Sequence, residues 1–313
     1  MERAVAAEFS DPEELSLALR HTNVRAIQTS RGAFKAELAH LRACSWSAQY
    51  INFVHGEAAC DGSGPSDRYA FILPLRSQRA CRLLGRPVVP TSIGVYAPGS
   101  EHADTSAGGH QQVVLMPPPG FLSDNELDAA AHALPRKGSH HVSGTEEGLA
   151  SMRHLVRRLM ANGDVLMQAA DDQVRRSVHD ELSLSLKEAL PAHDTSLEKG
   201  RPALPRAAVI RHLSEMLDAD QDQPTYAGEL ARAVGVSDAT LRRMFIELFG
   251  IAPARYLMTK RLYLARQRLR SGQFDTVGQV AESCGFWDQG RFAGRYKSLF
   301  GELPIETLRM SKK

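Results

Sequence analysis

Glu229–Leu248 reads ELARAVGVSDATLRRMFIEL, and the C-terminal part of the chain takes its fold from this stretch. Leu230, Ala231 and Val234 share one helix face at three- and four-residue spacing, and Ala231 and Ala233 are small enough for close helix contact. Gly235 supplies the positive φ that ends this first helix. Ser237 is placed to cap a second, in which Leu241, Met244, Phe245 and Leu248 form an inward stripe while Thr240, Arg242, Arg243 and Glu247 stay outside. Two short helices around such a turn make a helix-turn-helix. Outward arginines on its second helix suit the groove of a nucleic acid.

The pattern occurs twice. Glu229–Gly235 laid over Gln279–Gly285 aligns Ala231 with Ala281 and Gly235 with Gly285, and one extra turn residue then places Ser237 over Asp288. Leu241 falls on Phe292, Phe245 on Tyr296, Leu248 on Leu299, Phe249-Gly250 on Phe300-Gly301, Pro253 on Pro304 and Leu257 on Leu308. A repeat in register is far more specific than a single match. Between the copies, Ala252–Arg270 reads as one helix of 19 residues with Met258, Leu262, Ala265 and Leu269 inward. At 1.5 Å per residue it spans roughly 28 Å, enough to hold two recognition helices near the ~34 Å that separates successive major grooves.

The closing segment GFWDQGRFAGRYKSLFGELPIETLR, with two such motifs joined by a long helix, resembles the DNA-binding domain of AraC/XylS transcriptional regulators. Its wording is closer to XylS-like members than to the family at large, and the resemblance covers about residues 205–311. It implies base contacts at Ala239, Arg242 and Arg243, then at Gln289, Gly290, Arg291 and Gly294. Ala239 stands where a larger residue is common, and Gly294 where an arginine is usual. The second motif is therefore expected to read less sequence than the first. The full set of candidate DNA-contacting residues is Ser237, Asp238, Ala239, Thr240, Arg242, Arg243, Lys260, Gln289, Gly290, Arg291, Arg295 and Lys297, of which Lys260, Arg295 and Lys297 suit phosphate. Arg261 fits either phosphate contact or the domain core.

The charge distribution agrees with this division. From Thr225 to Lys313 there are 15 Lys and Arg against 8 Asp and Glu, and the preceding residues hold 23 against 28. A basic module is joined to an acidic one, which points to an anionic partner for the C-terminal part alone. At 313 residues, with 43% apolar and 24% charged residues, the chain suits two ordinary globular domains. There is no apolar run of membrane-span length, and Met1–Arg20 is acidic where a secretory signal needs a basic start, so the expectation is a cytoplasmic protein with no membrane partner. Cys44, Cys60, Cys81 and Cys284 lie too far apart for zinc spacing and read as reduced structural thiols.

Upstream, Asp11-Pro12 marks a short helix start. From about residue 23 to 118 the pattern turns to short β-rich runs: Phe34–Leu41, Ser47–His55, Tyr69–Arg76, Ala80–Leu84, Ser92–Ala97 and Gln111–Met116. Strands at this spacing argue for a small antiparallel barrel or sandwich, and the family resemblance implies a cupin-like one. His55, His102 and His110 are too dispersed for a metal site, no nucleophile elbow occurs, and no cofactor or catalytic residue is nominated. A barrel mouth lined by aromatics suits a small-molecule effector. Candidates are Tyr50, Phe53, His55, Arg68, Tyr69, Phe71, Arg76 and Tyr96, each of which can equally be core or turn. If the effector follows XylS-like members, an aromatic acid paired with an arginine is expected.

Residues 121–190 read as helices at Phe121–Leu134, Thr145–Met160 and Val165–Leu190, with Asn162-Gly163 ending one and Asp164 capping the next. Leu166, Ala170, Val174, Val178, Leu182 and Leu186 make a four-residue stripe that either packs on the barrel or forms a homodimer. Pro191–Pro205 reads as a linker, and Arg206–Leu217 as a scaffold helix with Ile210, Leu213 and Leu217 inward.

The expected architecture is thus α+β. It comprises a cupin-like antiparallel barrel with a helical hairpin (residues 1–190), a linker (191–205) and an all-α tandem helix-turn-helix domain (206–313). The expected function is an effector-responsive, DNA-binding activator that works as a homodimer on double-stranded promoter DNA with RNA polymerase, and not an enzyme. The rival readings are a metal-free cupin-like enzyme with an appended DNA-binding domain and a regulator that needs no effector.

Overall fold

The computed structural model describes residues 7–43, 45–77, 81–121, 138–168, 172–190, 209–210, 212–213, 215 and 226–311. The first half is built from strands β1 (Ala7–Phe9), β2 (Asn23–Gln28), β3 (Lys35–Ala43), β4 (Trp46–His55), β5 (Glu57–Ser63), β6 (Ala70–Arg76), β7 (Arg82–Leu83), β8 (Arg86–Pro87), β9 (Ser92–Tyr96), β10 (Glu101–Ala107), β11 (His110–Met116) and β12 (Ser139–Ser143). Among the described residues they form two antiparallel sheets, one ordered β1-β3-β4-β11-β6-β9-β12 and the other β2-β5-β10-β7-β8. The sheets face each other across a core of Leu38, Ile51, Phe53, Ala58, Ile72, Tyr96 and Val114. Helix α1 (Pro12–Ala18) starts where expected: Asp11 caps it, its Oδ1 accepting from the Glu13 N–H at 2.9 Å, and Pro12 occupies the first turn.

The sheet containing β4 and β6 is apolar on both faces, because its outer face carries a helical hairpin. Helices α2 (Glu146–Gln168) and α3 (Asp172–Ala189) cover Trp46, Phe71, Leu73, Val95, Val113 and Leu115 with Leu149, Met152, Val156, Val178, Leu182 and Leu186. Gly148 lets α2 approach the end of α3 closely, since a Cβ there would lie 2.2 Å from the Glu188 carbonyl oxygen. One expectation is corrected here, and of the two alternatives for the four-residue stripe one is observed. The first helix runs unbroken through Asn162-Gly163 to Gln168, where an end was expected at Met160; a glycine inside a helix costs only about 1 kcal/mol, too little to end it. And Val178, Leu182 and Leu186 of the four-residue stripe are spent on the chain's own barrel and not exposed for a second copy. The side chains of Leu166 and Ala170, the expected linker 191–205, Leu217 and nearly all of the expected helix Phe121–Leu134 lie outside the described residues.

The C-terminal half is all helical: α4 (Ala227–Ala233), α5 (Asp238–Phe249), α6 (Pro253–Arg270), α7 (Val277–Ser283), α8 (Gln289–Phe300) and α9 (Pro304–Ser311). Leu230, Ala231, Leu241, Met244, Phe245 and Leu248 pack with Val209, Ile210, Leu213, Tyr256 and Leu257 in one core. Leu262, Ala265 and Leu269 of α6 pack with Val280, Ala281, Phe292, Tyr296 and Leu308 in the other. The long helix therefore contributes to both copies of the motif. Arg261 settles between them, its guanidinium 5.1 Å from the Tyr226 ring centre and 5.2 Å from that of Phe286.

Candidate functional site

The two motifs close in the same way. Gly235 and Gly285 end α4 and α7 at φ 68° and 74°. Ser237 Oγ accepts from the Thr240 N–H at 3.2 Å to cap α5, and Asp288 Oδ1 accepts from the Arg291 N–H at 2.9 Å to cap α8. These caps fix the direction in which each recognition helix leaves its turn, and hence which side chains face outward. On α5 those are Asp238, Ala239, Arg242 and Arg243, all exposed beside the cap Ser237, with Thr240 half-buried. On α8 they are Gln289, Gly290, Arg291, Gly294, Arg295 and Lys297, also exposed. Arg291 Nε lies 3.3 Å from Asp288 Oδ2, so the second helix's central arginine already has an acidic partner.

Helix α6 turns a third face toward the barrel. Tyr256, Lys260, Tyr263, Gln267 and Arg270 follow each other at four-, three-, four- and three-residue spacing, and each meets an N-terminal residue. The focus is Asp61 on β5, which is fully buried. It holds Lys260 Nζ at 2.8 Å and Arg25 at 3.3 Å, and accepts from the Tyr256 hydroxyl. Burial alone would raise the Asp61 carboxyl; Lys260 and then Arg25 outweigh it and hold the group below its ordinary value. Around it, Arg255 donates to the Thr29 carbonyl at 2.7 Å, the Gln28 N–H donates to the Tyr263 hydroxyl at 3.2 Å, Arg266 pairs with Asp11, and Gln267 bonds Glu13. Ile27, Ala59 and Ala103 complete the contact as an apolar floor shared with the first motif's core.

Behind that sheet lies a cavity between the two sheets. Its empty volume, open mouth included, is about 600 Å³. Most of its wall is apolar, from Leu15, Val24, Ile51, Phe53, Ile72 and Val114, with Ser16, Thr22, Gln49, Tyr96, His102, Asp104 and Gln112 among the polar groups. His102 Nε2 and Asp104 Oδ2 are 3.3 Å apart. Burial, reinforced by Asp104, pushes the Tyr96 phenol well above its ordinary value and does the same to the Cys60 thiol. Cys60 faces this cavity and Asp61, the next residue, faces α6, as the two-residue period of a strand requires.

A helix-turn-helix domain model matches residues 230–310. The probable thc operon regulatory protein of Rhodococcus erythropolis is 37% identical over 115 residues, 36% of this chain and 34% of that protein. The XylDLEGF operon transcriptional activator 1 of Pseudomonas putida is 33% identical over 116 residues, 36% of this chain and 33% of that one. A solved structure of a probable AraC family transcriptional regulator from Rhodopseudomonas palustris CGA009 is 32% identical, with 33% of this chain and 96% of that chain covered and a TM-score of 0.30. By this domain the chain belongs to the AraC/XylS family. It matches about a third of the length of these two curated relatives.

Within the AraC/XylS-type domain the expected DNA-contacting residues are exposed, Thr240 partly so, with one correction. Lys260, expected at phosphate, is turned inward to Asp61 with its side chain 10% exposed, because a buried carboxylate demands a cation more strongly than solvent does. Trp287, just ahead of the α8 cap, was not nominated by the sequence reading; its indole is 79% exposed beside the recognition face. An unpaired large aromatic at a turn was the available signal.

The expected effector residues divide. Phe53 and Tyr96 line the cavity. Tyr50 alternates with the cavity-lining Gln49 and Ile51 on β4, and so points to the outer face, while Tyr69 and Phe71 pack toward the helical hairpin. His55 and Arg76 are exposed at strand ends, and Arg68 is paired with Asp67 at 2.6 Å. The expected pairing of an aromatic acid with an arginine finds no support here, since none of the cavity's described lining residues is Arg or Lys.

Proposed function

We propose that this chain is a cytoplasmic transcriptional regulator that holds duplex promoter DNA with its two recognition helices in successive major grooves. In this reading residues 1–190 sense a small molecule and pair two copies, 191–205 link, and 206–313 bind DNA and present a surface to RNA polymerase. The carrying observation is the repeat of one capped helix with an outward polar face, α5 and α8, on a single connecting helix. Arg242 and Arg243 suit bidentate bonds to guanine, and Gln289 to adenine. Arg295 and Lys297 suit phosphate. Docking of α6 on the barrel supports communication between cavity and DNA-binding domain, because Cys60 and Asp61 are consecutive residues facing the two sites. Fluorescence anisotropy of the full chain on labelled promoter-length duplex tests it. Affinity should fall steeply and log-linearly with salt through counterion release, and an absence of DNA binding at low salt would reject it.

A further inference from the structure

The barrel cavity is built to receive a hydrogen-bond donor. Asp104 is 3% exposed and Tyr96 is 1% exposed, and both line the cavity. The Asp104 carboxylate is engaged by His102 through Oδ2 and approached by the Cys60 thiol, but its Oδ1 lacks a partner of hydrogen-bond geometry; so do the Tyr96 hydroxyl and the Thr22 Oγ1, which lines the same space. An orphaned buried acceptor is costly unless something donates to it. Beyond these groups the wall is largely apolar and contains no Arg or Lys among the described lining residues. Arg25, one residue from the cavity-lining Val24, is on the opposite face of β2 and is held by Asp61.

We propose that this cavity binds a small apolar molecule through a donating head group, an amine or an alcohol, and excludes carboxylic acids. An amine or hydroxyl donates to Asp104 Oδ1, and an alcohol also accepts from Tyr96 or Thr22. A carboxylate placed there would face Asp104 in a poorly screened site, and a protonated His102 would already be neutralised by that same Asp104. The proposal rests on the regulator reading only in calling this molecule an effector; occupancy of the cavity is a separate matter.

The test uses the full chain and shape-matched probes: benzylamine, benzyl alcohol and benzoate, with hexylamine, hexanol and hexanoate as a second set. Thermal shift and titration calorimetry report binding, and anisotropy on promoter-length DNA is measured in parallel. Amines and alcohols should stabilise the protein saturably, and the acids should not at equal concentration. Asp104→Asn should weaken amine binding by about tenfold or more, hydrogen bonds to a charged group being among the stronger ones. Tyr96→Phe, which keeps the ring and hence the packing, should weaken the alcohols; circular dichroism establishes that each variant folds. Acids binding as well as amines, no member of either set binding, or unchanged amine affinity in a folded Asp104→Asn protein overturns the proposal. Loss of DNA binding by the unaltered protein would instead count against the regulator reading and leave the ligand result standing.

Discussion

Lys260→Met removes one charged partner of the buried Asp61 cluster while keeping an unbranched side chain only one atom shorter. Breaking a buried ion pair from one side costs about 3–5 kcal/mol, because the remaining charge keeps its desolvation penalty. Asp61 retains Arg25 at 3.3 Å and the Tyr256 hydroxyl, so the loss should sit at the low end, near 3 kcal/mol. In thermal unfolding that corresponds to a fall of roughly 6–12 °C in the transition that separates the domains. A double-mutant cycle with Asp61→Asn isolates the pair and should return a coupling above about 1 kcal/mol. Acid gives a second readout. The folded Asp61 carboxyl lies below its unfolded value, so its stabilisation is present above the unfolded pKa, near 3.9, and is lost as pH falls through the lower folded value. The wild type should therefore lose domain docking progressively below about pH 4, and Asp61→Asn should show less of this dependence. Additive effects in the cycle, or a Lys260→Met protein as stable as wild type, would refute the buried cluster as a feature of the protein in solution.

Three further outcomes follow from named positions. Gly294→Ala should stabilise the protein by about 0.5–1 kcal/mol in chemical denaturation, because a Cβ there meets nothing within 4 Å and glycine is a poor helix former; destabilisation would mean that α8 is not helical at that point. Leu182→Ala should cost about 2–5 kcal/mol while leaving the sedimentation coefficient unchanged, since Leu182 is 1% exposed in the hairpin–barrel core; dissociation of a dimer with no loss of stability would place it at an interface instead. Trp287→Ala should weaken DNA binding several-fold with no loss of fold, and unchanged affinity would leave the exposed indole without a part in it.

The C-terminal domain was legible because its signals are local. Gly235, Ser237, Gly285 and Asp288 are caps whose chemistry acts within a turn, and the repeat doubled each of them. The seven-stranded sheet was partly legible through the alternation in β4 and β6, but alternation does not say which face turns inward. With helices on its outer side both faces are apolar, so Tyr50, Tyr69 and Phe71 looked like cavity residues while Gln49, Ile51 and Ile72 supplied the wall. The second sheet was largely missed for a different reason. Its strands EAACDGS and EHADTSA carry small and polar residues, because one face meets α5 and α6 through Ala59, Asp61 and Ala103 and the other faces the cavity through Cys60, His102 and Asp104. Such residues take their meaning from partners some 150 to 200 positions away, as Asp61 does from Lys260 and Tyr256. No sequence window contains that information.

The claim that one chain reads two successive major grooves, the first more closely than the second, is tested most directly by selecting the full-length protein on randomised duplex DNA. It predicts two informative blocks about 10 base pairs apart, with Arg243→Ala erasing more information from one block than Arg291→Ala does from the other, a bidentate arginine contact being worth roughly 1–3 kcal/mol of discrimination. A single block, or an Arg291→Ala effect equal to or larger than that of Arg243→Ala, would contradict it.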